Sequence, residues 1–227
     1  MPVTPLQFVF ITFFIAILGT LAVAVRRDNG AAIVNGIVVV VVVLSPIVFE
    51  SVVTITTGPA LSVWLGLAGL LHMIGMLGPY DSVWWWDHVT HSVSAGLVAA
   101  LCYGTLLATT PHSRAVVAVM TVGFTLVGGV FWELIELVAR TLGRRFRIDP
   151  VLVYYGWKDT VLDLAFDLLA ALVVVLLDLA LFAQLAAQSP DLARELLVAS
   201  TVVMFAGSLA IAVALTVVDA WPWSGKN

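Results

Sequence analysis

The chain has 227 residues, of which 62% are hydrophobic and only 11% are charged, and its formal net charge is -4. Soluble domains carry about 25% charged residues, so this composition excludes an ordinary water-soluble globule, a disordered tail and a free nucleic-acid binder. A mean hydropathy of +1.11 points to a lipid bilayer as the solvent. The single cysteine, Cys102, excludes a disulfide framework and any C-x-x-C pair for zinc or redox chemistry.

Long apolar windows recur along the whole chain. A transmembrane helix needs about 20 mainly apolar residues, and windows of that length are separated here by Pro, Gly or charged residues. They predict an all-α, polytopic helix bundle in one domain, residues 1–227, set in the cell membrane with lipids as its partners. The seven predicted spans are roughly 6–25, 31–57, 60–77, 86–110, 115–139, 159–184 and 195–219, and the third is the shortest.

The distribution of basic residues predicts the orientation of these spans. With the N-terminus outside, eight basic residues fall in inner segments and two, Arg114 and Arg194, in outer ones. The inner residues are Arg26, Arg27, Arg140, Arg144, Arg145, Arg147, Lys158 and Lys226. Since cytoplasmic loops carry an excess of Lys and Arg, the N-terminus is predicted outside and the C-terminus in the cytoplasm.

Several spans carry ionisable residues, which are expensive inside a membrane and therefore indicate a functional site. The fourth span opens with Asp87, His88 and His91, and the fifth closes with Glu133 and Glu136. The sixth span carries a stripe of aspartates at helical spacing, and the third carries a histidine near its end; these residues are Asp159, Asp163, Asp167, Asp178 and His72. With the predicted topology, all except Asp178 lie in the inner half of the membrane, where one bundle brings them together.

Such a cluster of carboxylates needs protons or a metal ion to offset its charge. A mixed set of Asp, Glu and His suits Mn, Fe or Zn better than Ca or Mg, so we expect a divalent metal of the first kind. The predicted ligands are His91, Glu136, Asp159 and Asp163, with His72 and Asp167 as further ligands. The predicted catalytic residues are Glu133, Asp87 and His88.

Simpler interpretations exist for some of these residues. Asp87 and Asp159 suit N-terminal helix caps as well as a site, and His72 suits a hydrogen-bonded helix contact. Arg144, Arg145 and Arg147 suit orientation and binding of anionic lipid, and the alternative is that they hold a phosphate headgroup beside the cluster.

Three segments carry a resemblance to a known family. They are Trp86-Asp87-His88-Val89-Thr90-His91, Phe131-Trp132-Glu133-Leu134-Ile135-Glu136 and Gly156-Trp157-Lys158-Asp159-Thr160-Val161-Leu162-Asp163. Together they resemble the YjdF family of small polytopic membrane proteins, over roughly the third to sixth spans. The resemblance implies a multi-helix membrane protein with a polar centre built from these segments. Two histidines lie near Asp87, so either His88 or His91 corresponds to the histidine of the family.

The residues favour a metal-dependent, hydrolase-like membrane enzyme that acts on a lipid or isoprenoid near the inner leaflet. Oxidation at a non-haem iron is compatible with the same residue types. The alternatives are a proton- or cation-coupled transporter, for which no internal repeat is visible, and a scaffold whose buried polar network only fixes helix packing. The sequence gives no indication of the oligomeric state.

Overall fold

The computed structural model describes residues 4–147 and 151–217, and in this part of the chain it contains nine helices and no strand. The helices are α1 (Pro5–Arg26), α2 (Gly30–Val52), α3 (Pro59–Gly75), α4 (Pro79–Ser82), α5 (Trp86–Thr109), α6 (Arg114–Phe146), α7 (Trp157–Leu176), α8 (Ala183–Ala187) and α9 (Pro190–Val217). Residues 218 and 219 of the last predicted span, and Lys226, lie outside the described residues.

Five of these helices, α1, α2, α5, α6 and α9, are long and apolar enough to cross a membrane. Two of the seven predicted spans fall short of that standard for different reasons. Helix α3 is apolar but has only 17 residues. Helix α7 has 20 residues, but it carries Lys158 and three aspartates, so it is too rich in charge. The all-α, multi-pass character of the fold is therefore clear from the helices alone.

The ends of several helices differ from the predicted boundaries. Helix α2 ends at Val52, five residues before the predicted end, and α6 continues to Phe146, seven residues beyond it. The largest difference concerns the predicted span 159–184, because α7 ends at Leu176 and the short helix α8 follows separately. The chain turns at Asp178, whose φ of 51° lies in the left-handed region.

The prediction that Asp178 continues the acidic stripe of the sixth span is therefore wrong. Asp178 lies in the turn after α7, where it accepts a hydrogen bond from the Tyr103 hydroxyl at 2.7 Å and contacts Arg114. These contacts join the turn to α5 and to the start of α6, whereas the three aspartates of α7 all lie within its first eleven residues. An apolar sequence without Pro or Gly gave no signal for this break.

The helices form two packed groups. In the first, α1, α2 and α3 enclose a core that includes Ile17, Val43 and Met73. In the second, α5 packs against α6, α7 and α8, and α9 covers α5 and α6. Helix α3 also packs against α5, where the Trp64 indole donates to the carbonyl of Val93 at 2.8 Å and joins the two groups.

Hydrogen bonds at one end of the bundle fix how the two groups meet. Asn35, near the start of α2, donates to the carbonyl of Val151 at 2.6 Å. The Tyr155 hydroxyl donates to Asp81 of α4 at 2.9 Å. The start of α2 and α4 are thereby held close to the segment that connects α6 to α7. The polar residues at the beginnings of α5 and α7 lie at this same end, which we call the polar end.

Candidate functional site

Three helices supply the polar side chains of the site. Asp87, His88 and His91 come from the first two turns of α5, where an acidic residue also suits the helix dipole. Helix α7 contributes Asp159, Asp163 and Asp167 at intervals of four residues, which places them along one face. Glu133 comes from the second half of α6 and is buried. We call these seven residues the acid–histidine cluster.

The shortest contact in the cluster joins His88 to Asp163. The Nδ1 atom of His88 lies 2.7 Å from Oδ1 of Asp163, and the side chains are 3% and 2% exposed. The imidazole also stacks on the ring of Phe166, with 5.1 Å between centroids and 9° between planes. His88 is thus fixed by a hydrogen bond on its edge and by an aromatic ring on its face.

His91 lies between two carboxylates on different helices. Its Nδ1 atom is 3.3 Å from Oδ1 of Asp167 on α7, and its Nε2 atom is 3.8 Å from Oε1 of Glu133 on α6. The first distance fits a hydrogen bond and the second is longer than one. The imidazole therefore connects α6 and α7 through the start of α5.

Glu133 has one satisfied oxygen and one that is not. Oε2 accepts a hydrogen bond from the Thr160 hydroxyl at 2.6 Å. Oε1 is buried and has no hydrogen-bond partner among the described residues, although Nε2 of His91 is near it. Because buried polar atoms are normally paired, an unpaired carboxylate oxygen that faces a histidine marks a place for a proton, a water molecule or a cation.

Two overlapping sets of side chains have the spacing of metal ligands. One ligand atom each from Asp87, His91 and Asp163 lies within 4.8 Å of the others, and the same holds for His88, Asp159 and Asp163. Asp163 belongs to both sets. Carboxylate oxygen and imidazole nitrogen are donors that Zn, Mn and Fe accept. In this arrangement Asp87 and His88, which the sequence predicted as catalytic residues, stand among the ligand atoms.

Glu136 lies outside both sets. Its Oε1 accepts a hydrogen bond from the indole of Trp132 at 3.0 Å, one turn earlier on α6. It lines a cavity rather than joining the ligand groups. Glu133 and Glu136 are three residues apart, so their side chains leave the helix in different directions. Only the side chain of Glu133 points toward His91.

The cavity beside the cluster has a volume of about 590 Å³. It lies between α2 and α3 on one side and α5 and α6 on the other. Asp87, His91, Glu136 and Asp167 border it at the polar end. The rest of the wall is largely apolar, so the cavity is polar at one end and apolar along the remainder of its length.

His72 lies across the cavity from the cluster. Its Nδ1 atom is 2.8 Å from the Tyr80 hydroxyl, and its Nε2 atom is 3.1 Å from Oδ1 of Asn35. Since the amide oxygen of Asn35 can only accept, Nε2 carries the hydrogen and Nδ1 accepts from Tyr80. This contact matches the helix-contact interpretation of His72, and His72 belongs to neither ligand set.

Two tyrosines at the polar end are held in their protonated form. Burial raises the pKa of Tyr80 above its ordinary value. Burial, followed by the hydrogen bond to Asp81, raises the pKa of Tyr155. Both phenols therefore stay neutral donors, and both line the cavity.

The capping and headgroup predictions can be placed on the structure. The N-cap residues of α5 and α7 are Trp85 and Gly156, so Asp87 and Asp159 lie within the first turns and do not occupy the cap positions. The three arginines are exposed at the end of α6, in its last turn and at the left-handed C-cap; they are Arg144, Arg145 and Arg147. They lie beyond the cluster along the axis of α6, and their role in headgroup binding stays a prediction.

Three residues of the site are missing from the sequence prediction. Asn35 and Tyr80 hold His72, and Thr160 donates to Glu133. Asn35 could have been found, because a buried amide in an apolar span has the same meaning as a buried acid. Thr160 stood in the quoted motif, but its role depends on how α7 is rotated toward α6, which spacing alone does not determine.

Residues 6–184 match the model of a family described as predicted membrane protein (DUF2238). The chain belongs to this family. The match supports the predicted multi-pass membrane location and covers the cluster, but it does not support the YjdF name specifically. Searches of curated proteins and of solved structures found no match. Family membership therefore identifies a membrane protein, and the chemistry has to be argued from the cluster.

Proposed function

We propose that this member of the DUF2238 family is a metal-dependent membrane enzyme, hydrolytic in type, that acts on a lipid or isoprenoid substrate. The observation that carries the proposal is the position of Asp163, a buried carboxylate that belongs to two sets of three ligand atoms. Buried carboxylates are costly unless they are paired or bind a metal ion. A pair of sets that share one carboxylate is the arrangement expected of a site for one or two divalent ions.

The ligand types favour Mn, Fe or Zn, because both sets combine imidazole nitrogen with carboxylate oxygen. A bound ion of this kind would supply an acidified water and polarise an ester or phosphoryl oxygen. The protein side chains have separate tasks. Asp87, His91 and Asp163 would hold one position, and His88 and Asp159, with Asp163, would hold the other.

Glu133 is the proposed general base. Its Oε2 atom is fixed by Thr160, and its buried Oε1 atom is the oxygen without a hydrogen-bond partner. A base needs a free acceptor within reach of the proton that it removes, and it needs an orientation that does not drift. Nε2 of His91, the nitrogen left to bind the metal ion, lies 3.8 Å from this oxygen, so Glu133 stands next to the ligand set that contains His91. Asp167 orients His91 from the opposite side of the ring.

We also propose that α3 and α7 cross the membrane with the five long helices, giving seven crossings and an outer N-terminus. The end of α1 is near the end of α3, since Arg27 donates to the carbonyl of Leu77 at 3.1 Å. Arg144 and Arg145 lie in the last turn of α6, which leads to the same polar end. Basic residues from different segments thus gather on one side, which favours a cytoplasmic polar end.

A transporter is less well supported by the arrangement of α7. Transport requires polar groups along a path across the membrane. On α7 the stretch between Asp167 and the turn at Asp178 buries Ala171 and Val174, which are apolar. The acidic residues are concentrated at one end of the helix, as suits a site that is approached from one side.

Elemental analysis of the detergent-purified protein tests the proposal. Wild-type protein should hold stoichiometric Mn, Fe or Zn after incubation with each ion and removal of the excess. Asp163→Asn should lose it, whereas Asp191→Asn, a matched change at an exposed aspartate on α9, should retain it. A wild-type protein that binds none of the three ions, or an Asp163→Asn variant that binds as well as wild type, would overturn the proposal. Proton uptake driven by an ion gradient in liposomes would support the transporter instead.

A further inference from the structure

The cavity next to the cluster has the form of a binding site for a hydrocarbon chain. Apart from Asn35 at the polar end, its lining on α2 consists of valines, among them Val39 and Val43. Its lining on α5 and α6 includes Leu97, Val98 and Phe131. Polar groups are concentrated at the end that holds Asp87, His91 and Glu136. A small-molecule site is expected to be concave and mostly apolar with a few convergent polar groups, and its usual volume of about 300–1,000 Å³ includes this one.

The length of the cavity fits one leaflet of a bilayer. On α5 its lining extends from Asp87 to Val98, which lies eleven residues further along, or about 16 Å at a rise of about 1.5 Å per residue. Half of a hydrocarbon core of about 30 Å is about 15 Å. A chain whose polar end lies at Asp87 and His91 would therefore end near the middle of the membrane.

The cavity is not closed on the side of α2 and α6. Val38 and Val42 of α2 line it and are 56% and 44% exposed, and Trp132 of α6 lines it and is 40% exposed. In the described residues α2 packs on α1 and α3 and not on α6. An apolar gap between two membrane-crossing helices faces lipid, so a chain can move into it sideways without meeting water.

We propose that this cavity binds a single hydrocarbon chain of a membrane lipid, which moves in from the leaflet on the polar side between α2 and α6. The chain lies along α5, and the bond to be cleaved lies beside Asp87 and His91, the two residues of the first ligand set that line the cavity. This inference rests on the proposed function for the reaction but not for the binding. An acyl chain and a polyisoprenyl chain share the required chemistry, and the experiment distinguishes them.

Photolabelling in lipid nanodiscs tests the binding. Two probes are used, palmitic acid and farnesyl monophosphate, each with a diazirine in the chain, and labelled peptides are identified by mass spectrometry. We expect labels on the cavity walls of α2, α5 or α6. Val98→Phe fills the cavity and should lower labelling about tenfold. Val119→Phe, the same change at an exposed position of α6 outside the cavity, should leave labelling unchanged.

The outcomes separate the possible conclusions. Labelling by only one probe identifies the chain as acyl or polyisoprenyl. Labelling that is equal in Val98→Phe and Val119→Phe, or that falls only on the outer surface of α9, overturns the inference. If Val98→Phe does not fold, Ser94→Phe, one turn closer to His91 and also in the lining, replaces it.

A parallel measurement keeps the inference separate from the proposed function. Photolabelling is repeated on Asp163→Asn, and metal content is measured on the same samples. Labelling that persists in a wild-type protein without any bound metal supports the cavity and rejects the metal enzyme. Stoichiometric metal without labelling of the cavity supports the metal enzyme and rejects the binding of a hydrocarbon chain in the cavity.

Discussion

Nδ1 of His88 lies 2.7 Å from Oδ1 of Asp163, and both side chains are almost fully buried. This contact joins the first turn of α5 to the first half of α7. The pair therefore holds together the two helices that provide most of the acid–histidine cluster. Removing one side chain of the pair should therefore leave both a packing defect and an unpaired buried polar group.

Substituting either partner should destabilise the protein strongly. His88→Ala leaves Asp163 buried without its closest partner, and breaking a buried pair in this way costs about 3–5 kcal/mol. The double variant His88→Ala with Asp163→Ala should lose clearly less than the sum of the two single losses, because neither group is then left unpaired. The free energy of unfolding is measured in mixed micelles for wild type, the two single variants and the double variant. Additive losses would mean that the two side chains do not interact.

The hydroxyl of Thr160 should matter more than its methyl group. Thr160→Val removes the donor to Oε2 of Glu133 and leaves a buried carboxylate with neither oxygen hydrogen-bonded, at a cost of about 1–3 kcal/mol. Thr160→Ser keeps the donor and should recover most of the stability. Apparent melting temperatures of the two variants in the same detergent provide the comparison. Equal losses in both variants would assign the effect to packing.

Two glycines of α6, Gly123 and Gly129, should respond differently to alanine. A Cβ atom at Gly129 would clash with Oδ2 of Asp167 and lie 2.9 Å from a methyl group of Leu164. Gly129→Ala must therefore displace these two side chains of α7, at a cost of about 1–3 kcal/mol. Gly123 has nothing within 4 Å of that position. Gly123→Ala should therefore be neutral or stabilising by about 0.5–1 kcal/mol, from helix propensity alone. Thermal unfolding of both variants tests the contrast, which would be absent if α6 and α7 were packed loosely.

The turn after α7 should give a pH-dependent contribution to stability. The hydrogen bond from Tyr103, together with that from Arg114, lowers the pKa of Asp178 below its ordinary value. A carboxyl group with a lowered pKa in the folded state stabilises the protein above its unfolded pKa of about 3.9, and the contribution is lost as pH falls through the folded pKa. Wild type should be more stable than Asp178→Asn near neutral pH, and the difference should shrink below about pH 4. A difference that stays constant with pH would exclude this role.

The sequence is sufficient to predict the helical, multi-pass character of the chain and the gathering of polar residues at one end. Depth along each span is enough for that, because Asp87, Glu133 and Asp163 all fall near those ends of their predicted spans that the topology places on one side. Depth does not predict rotation about the helix axis. Rotation decides that Glu133 faces His91 while Glu136 faces Trp132 and the cavity, and it depends on how neighbouring side chains pack.

The end of α7 could not be predicted for a related reason. The residues around Asp178 are as apolar as a membrane span, and neither Pro nor Gly interrupts them. The helix ends because tertiary contacts with Tyr103 and Arg114 hold Asp178 in a left-handed turn. Gly104 of α5 also allows the backbone at Phe182 and Ala183 to approach closely, with a Cβ position only 2.7 Å from the nitrogen of Ala183. Such partners lie about 75 residues away in the sequence, beyond any local pattern.

Asp163 belongs to both sets of ligand atoms, and this sharing has a thermodynamic consequence. A cation held by one set would withdraw negative charge from the carboxylate that the other set also needs. Loading at the two positions would then be linked, with a coupling free energy that is the same whichever position fills first. Titration of such a site with the metal ion would give a binding isotherm that departs from the hyperbola of independent, equivalent positions.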